Sequence, residues 1–357
     1  MTIDLYSPLQ AGELQLANRL VMAPMARRRA AANGAPSEHA PLYYSQRASG
    51  GLVITEGTAP CAFGKGSFGM PGVYTEEQIA AWRNVTDAVH ARGGRIVVQL
   101  MHSGRVAHSS RMPGGALPVS ASTVRVSGQV MAAAGMTDYE TPRALELDEI
   151  PKVVEEYANA ARCAMAAGFD GVELHGASGF LPMQFLCSST NRRTDAYGGS
   201  AAHRARFTVE VLEAMGKAIG AGRVGIKISP ENPHNDISDA NPVETFSTLV
   251  SAISPLGIAY MHMSFAPKES ANYLELLRPL FNGVFFIGGG LDRDKAAAMI
   301  AEGKADVAVY GVKYLANPDL RERFESSAPL NPPDRDTFYS QGPKGYIDYP
   351  FLNEART

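Results

Sequence analysis

Short apolar runs alternate along the chain with longer amphipathic segments. Eight runs stand out: LVMAPM (20–25), LVITEGT (52–58), RIVVQL (95–100), DGVELH (170–175), RVGIKIS (223–229), IAYMHM (258–263), GVFFIGG (283–289) and DVAVYG (306–311). Most are rich in β-branched residues and nearly continuous in hydrophobicity, as are strands covered on both faces. Helical patterns lie between them. One starts at Thr75, a suitable N-cap, and ends at Gly93; another runs from Pro151 to Gly168, a natural C-cap. Further helices are expected at 201–220, 243–254, 292–303 and 317–326. Eight βα units in series predict a parallel sheet with right-handed crossovers, closed into a (β/α)8 TIM barrel of the α/β class.

Two stretches break the alternation. From 101 to 149, after the third strand, the chain is rich in Gly, Ser, Ala and Pro and has no strong period. A long βα loop lies on the catalytic face of such a barrel, so this one is expected to form an active-site lid or pocket wall. The segment 327–357 is Pro-rich and aromatic and is expected to pack on the body as a tail. No internal repeat or low-complexity tract is present, and 1–357 reads as one barrel domain.

Composition narrows the possibilities. A length of 357 residues suits one barrel with insertions. A net charge of -3 gives no electrostatic reason to expect nucleic acid or an anionic membrane as partner. Cys61, Cys163 and Cys187 form no CxxC pair and read as reduced thiols. The first residues show no leader pattern, and no run approaches the ~18 apolar residues that span a bilayer. The expectation is a cytoplasmic, unanchored protein.

The active site of such a barrel is built from the C-terminal strand ends. These carry Pro24, Met25, Ala26, Glu56, Gly57, Gln99, His175, Lys227, His262, Gly288 to Gly290, and Gly311. The glycines end the seventh and eighth strands, the usual phosphate site, where bare N–H groups cradle an anion. A tight βα turn explains Gly288–Gly290 equally well. No GxGxxG follows the first strand, so nothing supports a Rossmann fold. Gln99 and Lys227 are polar where apolar residues would be more stable, and a buried lysine needs a partner or an anionic ligand. A flavin ring suits both: the amide faces its pyrimidine edge, and the cation stabilises the reduced form near N1 and O2. His175 reads as either structural or catalytic. His102 and His108 have no acidic or cysteine companion in their loop, so no metal site is expected.

The motifs around these residues resemble one family. APMARRRA (23–30), QRASGGLVITEGT (46–58), PGVYTEEQ (71–78), VVQLMHSGR (97–105), TPRALELDEI (141–150), AGFDGVELHGASGFLPMQFL (167–186), NRRTDAYGGS (191–200), RVGIKISP (223–230), ANPDL (316–320) and GYIDYP (345–350) are similar to the old yellow enzymes. The resemblance covers nearly the whole chain and is closest to the bacterial branch typified by pentaerythritol tetranitrate reductase. It implies an FMN barrel with ping-pong kinetics, monomeric or homo-oligomeric. NAD(P)H reduces the flavin, which passes hydride from N5 to an activated alkene such as an enone, enal, nitroalkene or quinone-like compound. It further implies that Ala23, Pro24, Met25 and Ala26 border the cofactor and that Gln99 faces it. Gly57 lets its backbone approach the ring, and Gly289, Gly290 and Gly311 offer phosphate amides. His175 holds the substrate oxygen, and Tyr346 lines the pocket.

Departures from the family pattern cluster in the site. Ser178 stands where a second oxygen ligand, His or Asn, is expected, and Phe180 where a proton-donating Tyr is expected. Ala26 replaces the Thr or Cys that hydrogen-bonds the flavin. Met101 replaces a pocket Trp, and Ser67 a pocket Tyr, with Phe68 beside it. Lys227 replaces an Arg, keeping the charge and losing the planar fork. Val312 replaces a phosphate-binding Arg, with Lys313 adjacent. Three readings stay open: an ene-reductase lacking the usual acid, a specialised secondary-metabolism flavoenzyme that isomerises or desaturates a larger substrate, and a non-catalytic FMN-binding protein. A barrel that binds a phosphorylated substrate and no flavin is a more distant fourth.

Overall fold

A computed structural model describes residues 3–353. Each of the eight apolar runs forms a strand: β1 (Leu20–Met22), β2 (Leu52–Ile54), β3 (Ile96–Leu100), β4 (Gly171–Gly176), β5 (Val224–Ile228), β6 (Tyr260–Ser264), β7 (Val284–Gly288) and β8 (Val307–Tyr310). They pair in parallel in chain order, and β8 closes on β1. A helix follows each strand: α1 (Ala40–Ser45), α2 (Glu76–His90), α3 (Ile150–Ala166), α4 (Ala201–Ile219), α5 (Pro242–Ile253), α6 (Tyr273–Leu277), α7 (Arg293–Ala301) and α8 (Leu320–Glu325). The fold is the (β/α)8 barrel that the alternation predicts.

Local chemistry sets the boundaries. Thr75 and Gln78 form a capping box at the start of α2, satisfying N–H groups that a helix end leaves unpaired. After α3, Gly168 takes a φ of +86°, which reverses the chain without a Cβ clash. The barrel interior is filled by Val21, Leu52, Ile54, Val97, Val307, Val309 and a stacked Tyr260–Phe286 pair, ring centroids 4.1 Å apart. Gly225 makes room for that stack, since a Cβ there would lie 2.3 Å from the Tyr260 ring. Ala11, Leu14 and Leu16 join the same cluster from a hairpin of Leu9–Ala11 and Leu14–Leu16. The larger core lies between the strands and the helices.

The stretch 101–149 contains more order than its composition predicts. Val119–Ser120 pairs with Arg143–Ala144, and Gln129–Ala132 forms a hairpin with Gly135–Asp138. The C-terminal segment is fastened by two arginines of the loop after β1. Arg29 donates to the carbonyls of Thr337, Gly342 and Lys344, and Arg27 to those of Phe338 and Gly345. The last four positions of the expected tail, 354–357, lie outside the described residues. No helix among the described residues is long and apolar enough to cross a membrane.

Candidate active site

The C-terminal strand ends open onto two clefts that share Pro24 and Lys227. One has a volume of about 760 Å3 and is lined by Ala26, Gly57, Ser67, Phe68, Gln99, Met101, His175, Ser178 and Phe180. The other, about 460 Å3, is lined by Ala23, Met25, Gly289, Gly290, Gly311, Val312 and Lys313. Seventeen of the eighteen residues expected at the site therefore meet on one face of the barrel.

The floor is a connected polar layer around Glu173, a fully buried residue on β4. Its Oε1 accepts Gln99 Nε2 at 2.7 Å, and its Oε2 lies 3.1 Å from His262 Nδ1. Burial pushes the Lys227 ammonium below the usual lysine range, and the carboxylate of Glu173 opposes that shift. Lys227 thus has the counter-charge that a cation in this position requires. Because Gln99 spends its NH2 group on Glu173, its amide orientation is fixed, with the carbonyl oxygen left for another partner.

His175 stands at the end of β4, one residue pair beyond Glu173 on the same face of the strand. Its pKa is held well below the ordinary histidine value, first by burial and then by Lys227, His262 and His234. The ring is neutral, and Nδ1 accepts the backbone N–H of Ala177 at 3.3 Å. The ring proton therefore sits on Nε2, which makes His175 a donor with no described partner. Phe180 packs edge-on against this ring at 4.7 Å. Ser178 adopts a left-handed φ of +55°, held by its N–H to Ser229 Oγ and by Asn235 Nδ2 on its carbonyl. Met101 lies over Gly57, where a Cβ would fall 2.6 Å from its sulfur.

The second cleft has the chemistry of an anion cradle. Gly289 and Gly290 take φ values of +105° and +75°, and their N–H groups donate to no described acceptor. Lys313 reaches the same turn, donating to the carbonyl of Leu291 while lining the cleft. Two further ammonium protons remain for a ligand. A phosphate in this cradle and a ring over Gln99 and Lys227 fit the two connected clefts.

A family model described as NADH:flavin oxidoreductase / NADH oxidase matches residues 4–331. The chain belongs to this family. Among its relatives, 12-oxophytodienoate reductase 1 of Oryza sativa subsp. japonica is 44% identical over 362 residues, covering 99% of this chain and 94% of that protein. A structure of morphinone reductase in complex with tetrahydroNAD superposes with a TM-score of 0.95 at 42% identity, covering 99% of both chains. An old yellow enzyme homologue from Zymomonas mobilis gives the same TM-score at 36% identity, covering 98% of this chain and all of the other. The protein is an FMN-dependent oxidoreductase of the old yellow enzyme type, with a nicotinamide as reductant.

One expected residue is not in the clefts. Tyr346 is buried, stacks on Tyr43 at 4.1 Å and receives Arg27 over its ring. It fastens the C-terminal segment and does not line the pocket, because Arg27 and Arg29 draw that segment down against α1. The loop histidines also gain companions that sequence distance hid. His102 comes together with Cys61 and Glu156, ligand atoms all within 4.8 Å. Burial brings His102 down to about 4, and its Nδ1 accepts the Gly104 N–H, so its ring is neutral with the proton on Nε2. Coordination through Nε2 would forfeit that bond. Residues missed in the sequence include Glu173, His234, Asn235, Arg28, Arg111, Tyr139 and Tyr339. A charged residue inside the run DGVELH was a visible signal for Glu173. The others sit on loops with no pattern to betray them.

Proposed function

We propose that this enzyme reduces an activated carbon–carbon double bond and that no side chain at position 180 supplies the second proton. The observation that carries this reading is the fixed tautomer of His175. A neutral imidazole with Nε2–H facing the cleft donates a hydrogen bond to a carbonyl or nitro oxygen and strengthens it as negative charge develops there. Ser178, on a backbone pinned by Ser229 and Asn235, lines the same cleft and offers its hydroxyl as a second, shorter donor. When bound, FMN would supply hydride chemistry, with NAD(P)H as its reductant. Gln99, Gly57 and Lys227 would hold its ring, and Gly289, Gly290, Gly311 and Lys313 would hold its phosphate. Phe180 keeps an apolar face against His175 and excludes water there, but it has no proton to give.

General acid catalysis is worth roughly 10²–10⁴ in rate. A nitroalkene tolerates the loss, because its anion leaves as a stable nitronate, whereas an enone must wait for solvent to protonate the α-carbon. Steady-state turnover with NADPH should therefore be fast on a nitroalkene and slow on 2-cyclohexenone. Phe180→Tyr should raise enone reduction about ten-fold or more. Equal rates on both substrates, or an enone rate that Phe180→Tyr leaves unchanged, would count against the assignment. The same missing acid leaves the enolate long-lived, which favours isomerisation as a second reading. Product analysis separates the two, since an isomer keeps its unsaturation and consumes no reductant.

A further inference from the structure

The outer end of the larger cleft carries positive charge that nothing described neutralises. In the run Arg27-Arg28-Arg29 the first and third side chains are buried and bind the C-terminal segment, while the middle one turns outward into the cleft. Arg28 reaches that position through a left-handed φ of +53°, a conformation that costs a residue with a Cβ about 1–2 kcal/mol. The carboxylate of Glu56 holds it there, accepting the N–H groups of Arg27 at 2.9 Å and Arg28 at 3.3 Å. The Arg28 guanidinium lies over the Tyr339 ring at 4.8 Å and donates no hydrogen bond to a described residue.

Arg111, from the long loop after β3, faces the same space. It stacks on Phe68 at 4.5 Å and donates Nη1 to the Gly66 carbonyl, while its Nε is buried without a partner. The two guanidiniums feel one another, and both act on the half-buried Tyr139 hydroxyl. Neither makes an ion pair with a described residue, and no described Asp or Glu lines the cleft. Arg28 and Arg111 are thus the uncompensated cations, since Lys227 has Glu173. Two like charges beside a partly enclosed space, one with an unfilled buried donor, are stabilised when an oxyanion joins them, and guanidinium forks match carboxylate and phosphate.

We infer that Arg28 and Arg111 form an anion subsite at the mouth of the cleft, which grips a carboxylate or phosphate on a ligand whose other end lies at His175. The inference rests on the reading of His175 as the oxygen-binding end. A carboxylate would belong to the alkene substrate. A phosphate would belong to the nicotinamide reductant, which uses the same cleft in a ping-pong cycle.

Two sets of titrations on the FMN-loaded enzyme test it. In the first, cyclohexenones carrying a carboxyalkyl chain of increasing length, and their methyl esters, are titrated against oxidised enzyme, with binding read from the visible flavin spectrum. In the second, anaerobic flavin reduction by NADH and by NADPH is timed. The wild type should bind one acid about ten-fold or more tightly than its ester, with the preference shrinking as salt is added. Arg28→Gln and Arg111→Gln should each erase most of that preference, and Arg111→Lys should restore part of it while keeping the loop contact at Gly66. If the substitutions instead slow only reduction by the nicotinamides, the subsite belongs to the reductant. Acid and ester binding alike at every chain length, with nicotinamide reduction indifferent to both substitutions, would overturn the subsite. Because binding is read without turnover, an acid preference with no reduction of any alkene would leave the subsite standing and sink the proposed reaction.

Discussion

The floor and the mouth of the larger cleft are built on opposite principles. At the floor, Gln99, Glu173, Lys227 and His262 stand on neighbouring strands, and the buried charge has a partner. At the mouth, Arg28 and Arg111 stand on loops, are partly solvated, and pair with no described carboxylate. The floor is finished before any ligand arrives and suits a cofactor that never changes. The mouth holds charge in reserve and suits a ligand that comes and goes. Rigid strands thus carry the floor, and loops carry the charges at the mouth.

Breaking the floor should have the largest effect. Lys227→Met removes the buried cation that the Glu173 carboxylate attracts and leaves that carboxylate to Gln99 and His262 alone, which should destabilise the fold. Urea denaturation of the apoprotein should show that loss, and a variant as stable as wild type would mean that the Lys227 charge does not organise the floor. Removing the donor above the floor comes next. His175→Leu should lower nitroalkene turnover by about 10²–10³, as loss of one oxyanion donor does elsewhere. A fall of only a few-fold would move the oxygen-binding role to another residue.

Glu56, under the mouth, gives a pH-dependent prediction. Burial raises its pKa from 4.5 to about 7, against the pull of two backbone N–H groups and the nearby arginines. The folded state therefore holds its proton more tightly than the unfolded one between those values. Its contribution to stability is full below pH 4.5 and is lost as pH rises through about 7. The loss amounts to roughly 3 kcal/mol at 1.36 kcal/mol per unit. Denaturation midpoints of the wild type should fall across this window relative to Glu56→Gln, and parallel pH profiles would contradict it. The smallest effect is expected from Ser178→Ala. A neutral hydrogen bond is worth about 0.5–1.5 kcal/mol, so turnover should fall by a few-fold to about ten-fold.

The two regions also differed in how far the sequence revealed them. Strands β1 to β8 were legible because continuous β-branched runs admit few other readings, and their polar ends marked Gln99, His175 and Lys227 as a floor. Glu173 was visible as an oddity inside an apolar run, yet its bond to Gln99 spans 74 positions and exists only once the barrel closes. Helices such as Ala40–Ser45 are too short to show a period. The hairpin of Gln129–Ala132 and Gly135–Asp138 was hidden in a Gly- and Ala-rich stretch whose alternation is weak. Arg28 looked like one of three equal arginines. Only the buried hydrogen bonds of its two neighbours show that it alone is free to face a ligand. Tyr346 misled for the converse reason: its motif placed it near the site, but the buried arginines pulled it beneath the pocket.

In the proposed reaction His175 stabilises charge on the substrate oxygen, and the site lacks its own acid. Rapid mixing of anaerobically reduced enzyme with a nitroalkene or with 2-cyclohexenone tests it most directly. The flavin should be reoxidised quickly by the nitroalkene, with the nitronate released before the nitroalkane forms, and more slowly by the enone, by about 10² or more. Equal rates, or a nitroalkane already protonated as the flavin reoxidises, would show that the site holds a proton donor after all.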